Sequence, residues 1–212
     1  MCNHYEKNVD VIEWGLSAAD AKLNAEAAKV MKEWHDHCYP RRSAGIITQM
    51  GGVREMISAR WGAWVTVKGK PSITANSRGD RLREFPMWKS ATKKRRCLIP
   101  ASAYYEPGQG PVGLRGELRF HPLGRDRFFI AGIFGEDTPS APPDLEGRTY
   151  WFSMITTEPN AYARPFHDRM PLALSDDEAW RWIGDEPLPD DVLNSLLKGL
   201  RSEQLTHPVV PS

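Results

Sequence analysis

R-R-C-L-I-P-A-S-A-Y-Y-E (95–106) is the stretch on which the fold turns. Cys97, Leu98 and Ile99 form a short apolar run, Pro100 ends it, and a second run with two adjacent tyrosines follows almost at once. An apolar run of this length bounded by a proline reads as a buried strand, and the second as another strand. Two strands in close succession, with no helix-length segment between them, argue for antiparallel or mixed pairing rather than for a parallel sheet with crossover helices.

Outward from this centre the pattern repeats. G-I-I-T-Q-M (45–50), M-I-S-A-R-W-G-A-W-V-T-V (56–67, strand plus turn), E-L-R-F-H-P (117–122), R-F-F-I-A-G-I-F (127–134) and T-Y-W-F-S-M-I-T-T (149–157) all have strand composition. P-G-Q-G-P-V-G (107–113) is a hairpin connection, E-D-T-P-S-A-P-P-D-L-E-G (136–147) a surface loop and P-N-A-Y-A-R-P (159–165) a short helix or turn. Three segments read as helices. Residues 17–36 place Leu23, Ala27, Val30, Met31 and Trp34 at helical spacing. Residues 175–183 open with Ser175 three before Glu178, a capping box. Residues 187–200 form the last helix. The expectation is one α+β domain over 1–212, with mixed or antiparallel sheets, a barrel-like core and peripheral helices.

Composition narrows the function. Hydrophobic residues make up 41% of 212, enough for a core, and the net charge of +1 excludes a uniformly basic nucleic-acid binder, so phosphate binding needs a local patch. No apolar run has transmembrane length, and Met1 is followed at once by polar residues, so neither a membrane span nor a signal peptide is expected. Three scattered cysteines make no disulfide framework and fit a reducing, cytoplasmic setting.

Several polar groups stand where strands end. Asn76 and Arg78, in T-A-N-S-R-G-D (74–80), are two apart, so an extended segment puts both on one side, where amide and guanidinium suit a phosphate or sugar. Glu106 follows two aromatics, and a carboxyl in apolar surroundings is a candidate proton shuttle. His167 and Arg169, in F-H-D-R-M-P (166–171), pair a group that titrates near neutrality with an anion clamp. W-G-A-W (61–64) with K-K-R-R (93–96) offers aromatics beside cations, the composition of a single-strand groove, with Trp61 and Trp64 as stacking candidates. H-D-H-C (35–38) is a decoy: His35 and His37 point apart at a helix end, no Cys-x-x-Cys accompanies them, and no metal site is expected. Cys97, inside an apolar run, reads as a small buried hydrophobe.

Taken in order, Met1-Cys2, R-W-G (60–62), A-N-S-R (75–78), R-R-C-L-I-P-A (95–101), Y-Y-E (104–106), A-G-I-F (131–134), I-T-T-E-P-N (155–160) and H-D-R-M-P (167–171) resemble the SRAP family of SOS response-associated peptidases, or abasic-site processing proteins. The chain departs from the family pattern at Asn3-His4, where the family has Gly-Arg, at Gly79-Asp80 after the N-S-R run, and at Pro107, where the family has Trp. The resemblance implies a compact α+β fold with a single-stranded DNA groove, no metal or cofactor, and action as a monomer. It also implies covalent capture of abasic sites by Cys2 once Met1 is removed. An N-terminal cysteine then offers an α-amine, with a pKa of about 7.7–8.0, beside a thiol. The amine attacks the ring-opened aldehyde and the thiol closes a thiazolidine. In that scheme Glu106 moves protons, His167 assists sugar opening, Asn76 orients the N-terminus, Arg78 and Arg169 hold phosphates, and Trp61 or Trp64 stacks on bases. Two other readings use the same residues: a cysteine peptidase with Cys2 as nucleophile and His167 or Glu106 as base, and a non-enzymatic single-strand binding module.

Overall fold

The structure is a computed structural model, and it describes residues 2–7, 37–67, 69–109, 115–137 and 150–199. The helix expected over 17–36 lies outside these residues, as do most of the 136–147 loop and His35. The strands are β1 (His4–Glu6), β2 (His37–Cys38), β3 (Ser43–Met50), β4 (Val53–Trp61), β5 (Ala63–Val67), β6 (Lys70–Thr74) and β7 (Asn76–Arg78), followed by helix α1 (Pro86–Lys94). Then come β8 (Arg96–Ala101), β9 (Ala103–Gln109), β10 (Arg115–Phe120), β11 (Phe128–Glu136), β12 (Tyr150–Thr157), β13 (Met170–Pro171) and β14 (Ala173–Leu174), and helices α2 (Asp176–Trp182) and α3 (Asp190–Leu196).

Five strands close into a ring. β12 runs parallel to β4, β4 pairs antiparallel with β3, β3 with β8, β8 with β11, and β11 returns to β12. The fold is thus the mixed, barrel-centred α+β arrangement expected from the strand pattern. Both faces of its wall are buried: Ile47, Met56 and Leu98 lie on one, Ile130, Phe152 and Met154 on the other, all without exposed surface. Each such burial stabilises the fold by about 1.5–3 kcal/mol. A second, antiparallel sheet in the order β10-β9-β1-β2 ties the chain start to the Tyr104–Glu106 strand.

The strand plus turn expected over 56–67 is the end of β4, a turn at Gly62 and a further strand, β5. Gly62, at φ +118°, turns the chain out of β4 and into the β5–β6 hairpin, and a Cβ there would lie 2.4 Å from an Ile73 methyl. Only glycine meets both conditions. Helix α1 has no counterpart in the sequence reading. Pro86 starts it at the first turn, and only Trp88, Ala91 and Thr92 are buried, too sparse a stripe to read as amphipathic. At α2 the capping box is as expected, with Ser175 accepting from the Glu178 amide and Glu178 accepting from Ser175 N–H.

The basic run K-K-R-R is not one surface patch. Lys93 and Lys94 end α1, whereas Arg96 is 2% exposed. Its guanidinium donates to the carbonyls of Thr92, Lys93, Trp182, Gly184 and Glu186, stitching α1 and α2 to β8. A second buried arginine, Arg60, makes a bidentate pair with Asp137 and donates from Nε to Gly62 O at 3.1 Å.

Candidate active site

β12 organises one end of the barrel. β7 runs parallel beside it, with Asn76 opposite Met154 and Arg78 opposite Thr156. β13 pairs on the same stretch, with Met170 opposite Thr157. The A-N-S-R and H-D-R-M-P segments, some ninety residues apart in the chain, therefore meet at the end of one strand. Buried hydroxyls fasten the first of them: Ser77 Oγ lies 2.7 Å from Ser153 Oγ, which also donates to Ala75 O at 3.1 Å.

The chain start reaches this place through β1. Cys2 is fully buried, and its thiol donates to His4 O at 3.3 Å. Asn76 Nδ2 donates to Cys2 O at 2.7 Å, while Asn76 Oδ1, also buried, has no hydrogen-bond partner among the described residues. A polar atom buried in that state is a binding group awaiting a donor. β1 is locked in place by Glu6, which accepts from Tyr105 OH and from Arg119 Nε at 3.0 Å. Burial raises the Glu6 carboxyl, but these hydrogen bonds outweigh it and hold the pKa below its usual value. His4, standing where the family has arginine, is stacked between Tyr105 at 4.0 Å and Tyr39 at 4.5 Å, with Nε2 2.8 Å from His37 Nδ1. It serves here as packing for β1. Of the decoy cluster, His37 thus pairs with His4 and Cys38 is buried.

Glu106 is 1% exposed, and burial pushes its carboxyl up to about 7, where it can give or take a proton at neutral pH. His167 Nε2 lies 3.8 Å from Glu106 Oε2. His167 Nδ1 lies 3.0 Å from the Arg169 amide nitrogen, the Arg169 carbonyl oxygen and Asp168 Oδ1, which leaves Nε2 as the nitrogen facing Glu106. The ring is presented by a turn in which Asn160 Oδ1 accepts from the amides of Tyr162 and Ala163. Burial, reinforced by the negative charge of Glu106, raises the Cys2 thiol well above its ordinary value, so it stays protonated. Tyr104, passed over in the sequence as strand filler, sits on the same face of β9 as Glu106. Its hydroxyl is buried with no hydrogen-bond partner among the described residues, and burial, with Cys2 and Glu106 close by, pushes it well above its ordinary value.

The cationic and aromatic candidates divide. Arg78 is about half exposed and pairs with Asp80 at 2.7 Å. Arg169 is buried, donating to Thr156 O at 2.6 Å and to Asp80 at 3.2 Å, and its Nε has no partner among the described residues. Asn76 and Arg78 do not share a target as their spacing implied: one turns in to Cys2, the other out to solvent. The stacking role expected of Trp61 is corrected. Its ring is fully buried, bonded through Nε1 to Ala75 O at 2.9 Å and packed on Phe152 and Tyr5, so no base can reach its face. Trp64 points instead toward the start of β12, beside Tyr150 and Trp151.

A protein of this architecture keeps a protonated thiol at its second residue, holds the adjoining carbonyl with an asparagine, and sets a carboxyl–imidazole pair beside it. The chain belongs to the SOS response associated peptidase (SRAP) family, whose model matches residues 1–212. It is 28% identical over 172 residues to the abasic site processing protein YoqW of Bacillus subtilis (strain 168), covering 78% of this chain and 75% of that protein. It is likewise 28% identical over 165 residues to the abasic site processing protein YoaM of the same organism, covering 74% and 69%. Among solved structures, a protein from Bacteroides thetaiotaomicron superposes with TM-score 0.73 at 22% identity over 97% of this chain and 90% of that one. A protein from Bordetella bronchiseptica gives 0.71 at 20% identity over the whole of both. These two share the fold.

Proposed function

We propose that the chain processes abasic sites in DNA, capturing the ring-opened sugar of a single-stranded lesion covalently through Cys2. The names of the relatives support the substrate class. The observation that carries the reading is the convergence of Cys2, Asn76 and Glu106 from three distant segments, with the 2.7 Å bond from Asn76 to the Cys2 carbonyl at its centre.

Removal of Met1 bares the α-amine of Cys2. With a pKa of about 7.7–8.0 for such a group, a neutral fraction exists at pH 7 and adds to the aldehyde carbon. Glu106, whose carboxyl burial pushes up to about 7, gives the proton with which the carbinolamine oxygen leaves as water and takes back the nitrogen's proton, forming the imine. The thiol then adds to the imine carbon. Its proton passes to Glu106 as the carbon–sulfur bond forms, and the ring nitrogen takes up a proton from the same carboxyl. Aldehyde and aminothiol thus give a thiazolidine and one water. Asn76 Oδ1, an acceptor with no partner among the described residues, is suited to an amine hydrogen and fixes the angle of attack. His167, with Nε2 3.8 Å from Glu106 Oε2, serves sugar opening. A reducing cytoplasm, in which the three cysteines remain free thiols, is the compartment this chemistry requires.

The raised thiol argues against the peptidase reading, because peptide hydrolysis by cysteine needs a thiolate lowered by a partner base. The test is a single-stranded oligonucleotide carrying one abasic site, incubated with protein whose intact mass shows Met1 absent. The expected result is a heat-stable conjugate on a denaturing gel, lost when the α-amine alone is acetylated. A conjugate that survives acetylation overturns the amine mechanism.

A further inference from the structure

β9 carries two adjacent tyrosines that end up in opposite states. Tyr105 faces one side of the sheet, where its hydroxyl donates to Glu6. Tyr104 faces the other, the side of Glu106, because successive side chains of a strand alternate. The Tyr104 ring is 1% exposed and cannot swing out. It stacks on Phe120, its partner across β10, with centroids 4.9 Å apart and planes 5° apart, and meets Phe128 edge-on at 6.3 Å. The hydroxyl is thus pinned in place, yet it has no hydrogen-bond partner among the described residues.

A phenylalanine would fill this aromatic stack equally well. A buried hydroxyl without a partner is unfavourable, and it is accounted for when an acceptor arrives from outside. Cys2 and Glu106 lie close by, but the hydroxyl is bonded to neither: the Cys2 thiol donates to His4 O instead. An aldehyde brought to Cys2 for attack supplies the acceptor, its carbonyl oxygen. Burial keeps the phenol protonated, so it meets that oxygen as a donor and not as an anion.

We infer that the Tyr104 hydroxyl donates a hydrogen bond to the aldehyde oxygen of the opened sugar while the Cys2 amine adds to its carbon. The inference rests on the capture reading above and deepens it by naming the group that polarises the carbonyl. As the nitrogen–carbon bond forms, the carbonyl π pair moves onto oxygen. Tyr104 stabilises that charge without giving up its own proton. The Glu106 carboxyl protonates the oxygen, and the resulting carboxylate takes the surplus proton from nitrogen. The carbinolamine is then neutral and the carboxyl restored. Tyr104 holds the same oxygen until it leaves as water.

The test compares the wild type with Tyr104→Phe, which removes the hydroxyl and keeps the stack. Conjugation is followed in single turnover, with saturating protein and a single-stranded oligonucleotide carrying one abasic site. Affinity is read by fluorescence anisotropy on a tetrahydrofuran analogue, which has no carbonyl. The variant is expected to conjugate about a hundredfold more slowly and to bind the analogue as tightly as the wild type. In a Cys2→Ala background, where only the imine forms, borohydride trapping is expected to slow by the same factor. The urea midpoint is expected to match or exceed that of the wild type, because an unpartnered hydroxyl has been removed. An unchanged conjugation rate overturns the assignment. So does unchanged trapping, which would move the hydroxyl's part to ring closure. A lower urea midpoint with weaker analogue binding makes the hydroxyl a structural group and overturns it as well. A wild type that gives no conjugate sinks the capture chemistry and this role together; a wild type that conjugates beside an unaffected variant sinks the role alone.

Discussion

The side-chain amide of Asn76 donates to the backbone carbonyl of Cys2 at 2.7 Å, across 74 residues of sequence. This bond joins β7 to the chain start, and it sets where the α-amine can point. Replacing Asn76 by Ala removes both the donor and the waiting Oδ1 acceptor. Conjugation with an abasic oligonucleotide is expected to slow by about tenfold or more. Time courses on denaturing gels, with far-ultraviolet circular dichroism to verify the fold, measure it.

Cys2→Ala keeps an amine and loses the ring-closing thiol. The variant is expected to give no heat-stable conjugate, yet to be trapped on the oligonucleotide when borohydride is present, because an imine still forms. Strand cleavage at the lesion is expected to rise, since an open imine permits β-elimination. Failure of borohydride to trap the variant would mean that the amine is not the first nucleophile.

Glu106 gives the stability of the protein a pH dependence with a definite sign. Its folded pKa, about 7, lies above its ordinary 4.5. Between those values the folded state binds more protons than the unfolded one, so stability is full below about pH 4.5 and falls as pH rises through 7. Glu106→Gln removes this dependence. Urea midpoints measured from pH 5 to 8 are expected to decline for the wild type and to run flatter for the variant.

Asp137 neutralises Arg60, whose side chain is 1% exposed. Asp137→Ala leaves that guanidinium buried without a counter-charge and is expected to destabilise the protein by about 3–5 kcal/mol in urea unfolding. Arg60→Met combined with Asp137→Leu is expected to recover most of the loss, because desolvation of both charges is then avoided.

The three thiols also make a plain prediction. Cys2, Cys38 and Cys97 are all buried, and burial raises the thiols of Cys2 and Cys97. A thiol-specific disulfide reagent at pH 8 is expected to react slowly with the folded protein and with all three after denaturation.

The strand framework was legible because its runs are apolar and bounded by proline or glycine, as at Cys97–Ile99 before Pro100. The box at Ser175 and Glu178 was legible because both partners are local. What lay hidden depends on partners brought from far away. Nothing near Arg96 tells that acceptors sit at 182–186, so a basic run looked like the cationic part of a groove. Trp61 and Phe85 are both aromatics beside cations, and only the closure of the barrel decides that the first is inside and the second outside. The grouping of Cys2, Asn76, Glu106 and His167 came from family resemblance, since no spacing rule joins residues so distant.

The ring of strands also constrains how the molecule comes into being. β4 finds its parallel partner only in β12, which leaves the ribosome some ninety residues later. Until then β3 and β4 make a hairpin with an open edge, a template for pairing with other chains. A nascent chain halted before residue 150 has made the thiol and the asparagine but has no shelf on which to bring them together. Its reactive end therefore acquires its aim only after β12 has been made.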